Sequence, residues 1–99
     1  MTARRPPAYA RKTDRNHTEI RDGLRQCGYQ VTDMSAIGKG IPDLLVGKCR
    51  LRCWVEVKMP GEKLTEAERV FFDHAPGCKI VVTSLEGALE QLRDLGDGE

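Results

Sequence analysis

Aromatic side chains are scarce in this chain: two tyrosines, two phenylalanines and one tryptophan among 99 residues. So short a chain makes one domain, and so few rings make a small core that self-association would extend. Long apolar runs are also missing. None approaches the roughly 20 residues of a membrane span, and no signal-peptide core opens the sequence. The expected location is the cytosol of the cell that makes the protein.

Cysteine is sparse too, at four residues. Cys49 and Cys53 raise the question of zinc, but structural zinc sites use two tight Cys pairs, whereas Cys27 and Cys78 stand alone. Cys53 falls in an apolar alternation and reads as a small buried hydrophobe. Neither zinc nor a disulfide is expected in a cytosolic chain.

Net charge is nearly absent at +1, but it is unevenly spread. Arg4, Arg5, Arg11, Lys12 and Arg15 face only Asp14 at one end; Glu86, Glu90, Asp94, Asp97 and Glu99 face only Arg93 at the other. Residues 1–12, with Pro6-Pro7, read as a flexible basic arm that either binds phosphates or serves as a solubilising tail. Residues 13–95 form a single domain, and 96–99 a short acidic tail.

With 39% apolar and 31% charged residues, the chain is globular, and its periodicity reads as α-β-β-β-α-β-α. Ile20, Leu24 and Cys27 form one helical stripe, from about Asp14 to a stop at Gly28. Tyr29–Met34 alternates as a strand, and Ser35–Pro42, with Gly38 and Gly40, is a loop. Asp43–Gly47 is a short strand. In Arg50–Lys58, Leu51, Cys53, Val55 and Val57 take one face; Arg50, Arg52, Trp54, Glu56 and Lys58 take the other. Thr65 and Glu68 have the spacing of a capping box, and Ala67, Val70, Phe71 and His74 form the stripe of that helix. Lys79–Thr83 is a strand. Ser84 caps a last helix carrying Leu85, Ala88, Leu89, Leu92 and Leu95. The expected fold is α/β, a mixed four-stranded sheet with helices on both faces.

The charges on the central hairpin carry the chemistry. Glu56 and Lys58 share a strand face. Asp43 joins them only if the hairpin register allows it. A tight Gly47-Lys48 turn would pair Asp43 with Arg52, leaving Glu56 roughly 13 Å away. A longer loop over Lys48–Leu51, or an equivalent bulge, sets Asp43 opposite Glu56 and is the expectation here. Two carboxylates so placed repel unless a cation lies between them, and few hard oxygen donors suit Mg²⁺. Lys58 adds positive charge near a phosphate without competing for the metal.

Ile41-Pro42-Asp43 followed by Val55-Glu56-Val57-Lys58 resembles the PD-(D/E)xK nuclease superfamily. Gly40-Ile41-Pro42-Asp43-Leu44-Leu45, Val55–Gly61 and Lys63-Leu64-Thr65 are similar to its VRR-NUC branch, over about residues 14–83. The resemblance implies a restriction-endonuclease-like αβββαβ core with an extra C-terminal helix, and Mg²⁺-dependent DNA endonuclease activity, with Mn²⁺ able to substitute. It implies Asp43, Glu56 and the Val57 carbonyl as metal ligands and Lys58 as catalytic. Glu19 matches a first-helix glutamate that completes the metal site in that branch; its other reading is a capping partner of Asn16. Glu68 stands where the branch usually has glutamine, so it either enters the site or only caps its helix. Stand-alone members of the branch are bacterial or phage proteins, and several act as homodimers on four-way DNA junctions. The implied location is thus the cytoplasm of a bacterium or a phage-infected host.

Lys39, Arg50 and Arg52 are candidate DNA contacts, with plain solvent exposure as the alternative. Trp54 reads as packing against a helix, and His17 and His74 carry no catalytic pattern. Two other functional readings stay open: a nucleic-acid-binding or interaction module with a degenerate site, and a nuclease acting on nicks, flaps or plain duplex.

Overall fold

The computed structural model describes the backbone of residues 8–96 and the side chains of residues 16–96. Residues 1–7 of the expected arm and 97–99 of the expected tail lie outside the described residues. Helix α1 spans Ala8–Gln26, so it starts well before Asp14, and residues 8–12 are helical rather than part of a loose arm. Pro6 and Pro7 precede it, and alanine, arginine and lysine within it are strong helix formers. Ile20 and Leu24 are fully buried. The chain closes the helix through Gly28, in a left-handed conformation, and Tyr29 N–H donates to Leu24 O at 3.0 Å.

Strands β1 (Gln30–Asp33), β2 (Leu44–Lys48), β3 (Leu51–Val57) and β4 (Cys78–Val82) form one sheet in the order β1-β2-β3-β4. The first two pairings are antiparallel and β3–β4 is parallel. The parallel pair is reached through helix α2 (Glu66–His74), as a crossover requires. Helix α3 (Leu85–Gly96) follows β4, and Ser84 Oγ accepts from Gly87 N–H at its start.

The two faces of the sheet differ sharply. Val31, Leu44, Val46, Leu51, Cys53, Val55, Val57 and Val82 are buried with Ile20, Leu24, Ala88 and Leu92 in one core. The expected alternation of β3 therefore holds. Leu95, expected to close the α3 stripe, is 43% exposed. On the opposite face α2 buries none of its residues. Its expected stripe is only partly realised: Phe71 is half-buried, while Ala67, Val70 and His74 are exposed. Phe71 meets the sheet at Trp54, the two rings edge-on at 5.2 Å, and Glu68 and Phe72 are also half-buried. Trp54 packs against a helix, as read from the sequence.

Cys53 is buried as expected, but it is joined to Cys78 by a disulfide, against expectation. The parallel register sets these two residues opposite each other on β3 and β4, a pairing made only by the crossover. Among the described residues no helix is long and apolar enough to cross a membrane.

The hairpin turn is tighter than expected. Lys48 pairs with Leu51, leaving only Cys49 and Arg50 in the turn. Arg50 is thus a turn residue, not a strand residue. Cys49 takes φ 57°, a left-handed conformation that costs a non-glycine residue about 1–2 kcal/mol. Cys49→Gly is expected to stabilise the fold by up to about 1 kcal/mol. Chemical denaturation would check this, and a lower midpoint would show that the thiol side chain contributes packing the exposed turn does not reveal.

Candidate active site

Each strand of the site is extended by one backbone bond beyond its regular pairing. Met34 N–H donates to Asp43 O at 2.7 Å, and Lys58 N–H donates to Val82 O at 2.9 Å. The β2–β3 register runs Leu44↔Val55 at this end, so the next residue out, Asp43, lies opposite Glu56. The expected juxtaposition holds, with a two-residue turn giving the register anticipated from a four-residue loop. Asp43 Oδ2 accepts from Val57 N–H at 2.9 Å. That bond ties the acid just before β2 to the backbone of β3.

Glu56 and Lys58 are both buried, at 3% and 5% exposure. Lys58 Nζ lies 2.7 Å from Glu68 Oε1, 3.5 Å from Glu56 Oε2 and 3.7 Å from Glu62 Oε2. The structure thus brings Glu68 into the site while it also caps α2. Thr65 N–H donates to Glu68 Oε1, and Glu68 N–H to Thr65 Oγ1, completing the expected capping box. The first turn of α2 and the lysine just after β3 are held by one carboxylate.

The charges shift one another's protonation. Burial pushes the Glu56 carboxyl up to about 8, reinforced by Asp43 and Glu68 and opposed by Lys58. Burial also raises Asp43, against the stabilising Val57 N–H. Burial works to lower Lys58, but Glu68 and Glu56 outweigh it and the ammonium is held above its ordinary value. Burial likewise works to raise Glu68, yet hydrogen bonds from Lys58 and the Thr65 amide hold it below its usual range. Asp43 and Glu56 are therefore under-compensated acids, while Glu68 and Lys58 are a satisfied pair.

Glu56 Oε1 is buried with no hydrogen-bond partner. An orphaned carboxylate oxygen beside a second raised acid is a donor set that fits a divalent cation. Among the described residues no three His, Cys, Asp or Glu side chains are grouped to hold a metal, so such an ion would draw further ligands from the backbone or water. Glu19 is not brought into this set. The buried residues His17 and Ile20 face the core, and Glu19 is exposed between them. Nor is Asn16 a helix cap. It lies inside α1, and its Nδ2 donates to Lys58 O at 3.1 Å and to Thr83 O at 3.4 Å.

Sequence reading missed Asn16 as a clamp and Glu62 as a neighbour of Lys58. Glu62 is placed by a turn in which its N–H donates to Met59 O and its Oε1 accepts from Met59 N–H; the Met59-Pro60-Gly61 signal could have suggested it. His17, though uninvolved in any motif, is buried with Nε2 3.0 Å from Asp33 Oδ2, and Arg21 Nη1 also reaches that oxygen at 3.1 Å. The candidate contacts Lys39, Arg50 and Arg52 are all exposed. Lys39 lies between Gly38 and Gly40, and all three take positive φ. At Gly40 an added Cβ would sit 2.6 Å from Ala67 O, so the loop touches the first turn of α2 with no room for a side chain.

The chain matches no family model, no curated protein and no solved structure.

The raised carboxyls fix the sign of one pH dependence. A carboxyl with a higher pKa in the folded state holds more protons than in the unfolded state, so stability falls as pH rises from the ordinary glutamate range toward about 8. Glu56→Gln removes this loss. In metal-free buffer the variant is expected to melt higher than the wild type at pH 8 and to show a flatter midpoint-versus-pH profile between pH 5 and 8. Parallel profiles would show that Glu56 is not held protonated.

Proposed function

We propose that this protein is a small Mg²⁺-dependent endonuclease that hydrolyses DNA phosphodiester bonds. The reading assigns it a restriction-endonuclease-like core of the PD-(D/E)xK, VRR-NUC type. The observation that carries it is the meeting of Asp43, Glu56 and Lys58 at one end of one sheet face, with a buried glutamate oxygen left unpartnered. The observed α-β-β-β-α-β order supports the same reading.

Asp43 and Glu56 would hold the ion, with the Val57 carbonyl as a further ligand. Bound Mg²⁺ supplies charge neutralisation at the phosphate and lowers the pKa of water in its shell. Lys58 is suited to stabilise the negative charge that grows on the phosphoryl oxygens as water attacks phosphorus and the P–O bond breaks. Its raised pKa keeps it protonated, which favours charge stabilisation over proton abstraction. Glu68 sets its position by a hydrogen bond at 2.7 Å. Protonation of Glu56 competes with metal binding, so activity rises with pH through this acid's range. Four-way junctions are the proposed substrate and a homodimer the proposed assembly, since symmetric cleavage needs two sites on a two-fold axis.

A second reading, an interaction module with a spent site, is favoured by one observation: Lys58 is surrounded by Glu56, Glu62 and Glu68. Incubation with Mg²⁺ or Mn²⁺ and a four-way junction, nicked, flapped and linear duplex separates the two. Lys58→Ala is expected to lower cleavage at least 100-fold while keeping metal and DNA binding. Asp43→Ala and Glu56→Ala are expected to weaken metal binding as well. Absence of cleavage of every substrate by the wild type, with either ion, would overturn the nuclease reading.

A further inference from the structure

The face that carries Asp43 and Glu56 continues past Trp54, where Phe71 of α2 rests, toward the hairpin turn. The register places Thr32 beside Leu45 and Leu45 beside Trp54 in one row across the strands. The next row on the same face is Gln30, Gly47 and Arg52. Gln30, Thr32, Leu45, Gly47 and Arg52 line a hollow of about 160 Å³. Gln30, Thr32 and Arg52 are exposed.

Arg52 is exposed, yet its guanidinium is tethered beside this hollow. Its Nη1 donates to Cys49 O at 3.1 Å and to Leu51 O at 2.7 Å. A guanidinium has five N–H donors, so Nε and Nη2 keep donors to offer. Among the described residues no carboxylate lies within ion-pair distance of Arg52. The side chain lies over Gly47: a Cβ there would come within 2.9 Å of Arg52 Nη1 and 3.1 Å of its Cδ. The bare glycine therefore provides the floor on which the guanidinium lies.

A planar cation held by its own turn, with an amide and a hydroxyl across a shallow hollow, suits the oxygens of a phosphate. We infer that Gln30, Thr32 and Arg52 form a second phosphate subsite, seated over Gly47, for the backbone of the strand whose cleavage is assigned to Asp43 and Glu56. Arg52 and Glu56 lie four residues apart on β3, roughly 13 Å along the strand. That is within the span of a few nucleotides, since duplex DNA rises about 3.4 Å per phosphate on each strand. The subsite sets the direction in which the strand crosses the sheet. Its assignment to DNA rests on the nuclease reading; its affinity for phosphate does not.

Two substitutions disturb the subsite in different ways. Arg52→Gln removes the cation, and Gly47→Ala displaces it, because the obstructing atoms belong to the far end of a flexible side chain. Full-length Lys58→Ala protein, which should bind without turnover, is titrated with a short oligodeoxynucleotide while backbone amide shifts and salt dependence are followed. Shifts are expected at Gln30, Thr32 and Gly47. Each added substitution is expected to weaken binding roughly tenfold, and Arg52→Gln to reduce the salt slope by about one. Inorganic phosphate at low salt is expected to shift the same amides more weakly.

If wild-type protein cleaves DNA but both variants keep its affinity and salt slope, the subsite is overturned and the nuclease reading stands. If nothing is cleaved, yet these amides respond to oligonucleotide and Arg52→Gln abolishes the response, the subsite stands and the nuclease reading falls. Thermal melts on each variant separate loss of the contact from loss of the fold.

Discussion

The pairing of β2 with β3 is the constraint on which the site depends. A one-residue slip would turn Asp43 to the apolar face and Val46 to the other, because side chains alternate along a strand. Two things hold the register. Leu44, Val46, Cys53 and Val55 are all fully buried on the core face, so a slip would expose or misplace several of them at once. At the far end the Cys49-Arg50 turn admits only the register that closes Lys48 on Leu51. The carboxylate of Asp43 then accepts from the Val57 amide, a bond that exists only in this alignment.

Given that alignment, the electrostatics follow from burial first and from crowding second. Three acids, Glu56, Glu62 and Glu68, lie within 3.7 Å of Lys58 Nζ, and Asp43 adds its charge beside Glu56. One ammonium cannot neutralise them all, and the strongest pairing goes to Glu68, the nearest. Burial, reinforced by neighbouring acids, leaves Asp43 and Glu56 with raised pKa values. A buried charge left without compensation is costly unless it is protonated or meets a cation. The same arrangement thus disfavours the empty, ionised site and makes it receptive to positive charge.

Much of this was legible in the sequence, for identifiable reasons. The strict alternation of Leu51, Cys53, Val55 and Val57 announced which face of β3 was buried, and face parity then assigned Glu56 and Lys58 to the other side. The requirement that Asp43 meet Glu56 dictated the register, but it was met by a two-residue turn rather than the expected four-residue loop. Local signals such as Thr65-x-x-Glu68 and Ser84 gave helix starts correctly. What escaped were relations between residues distant in sequence or dependent on rotation about a helix axis. Glu19 entered only through the resemblance, and it is exposed on α1 beside the buried His17 and Ile20. The contact of Cys53 with Cys78 needed the β3–β4 register, which no local pattern encodes. The weak seating of α2 also escaped, because an apolar stripe reveals which side of a helix is apolar but not how much sheet lies beneath it.

The link between Cys53 and Cys78 spans a sequence separation of 25, and that interval contains Lys58, Glu62, Glu68 and all of α2. Topologically it is a closed ring whose two ends are the central strand and its parallel neighbour. In the chain-entropy account, a ring of this size removes about 3–4 kcal/mol of freedom from the unfolded ensemble. The consequence reaches past global stability. Because α2 has no residue fully buried, it is the helix least anchored by packing, and the ring bounds how far it can stray. Its excursions are those of a tethered loop, with both attachment points fixed in the sheet. The entropy gained by detaching it is correspondingly small. A helix that packs weakly is thereby retained by chain topology.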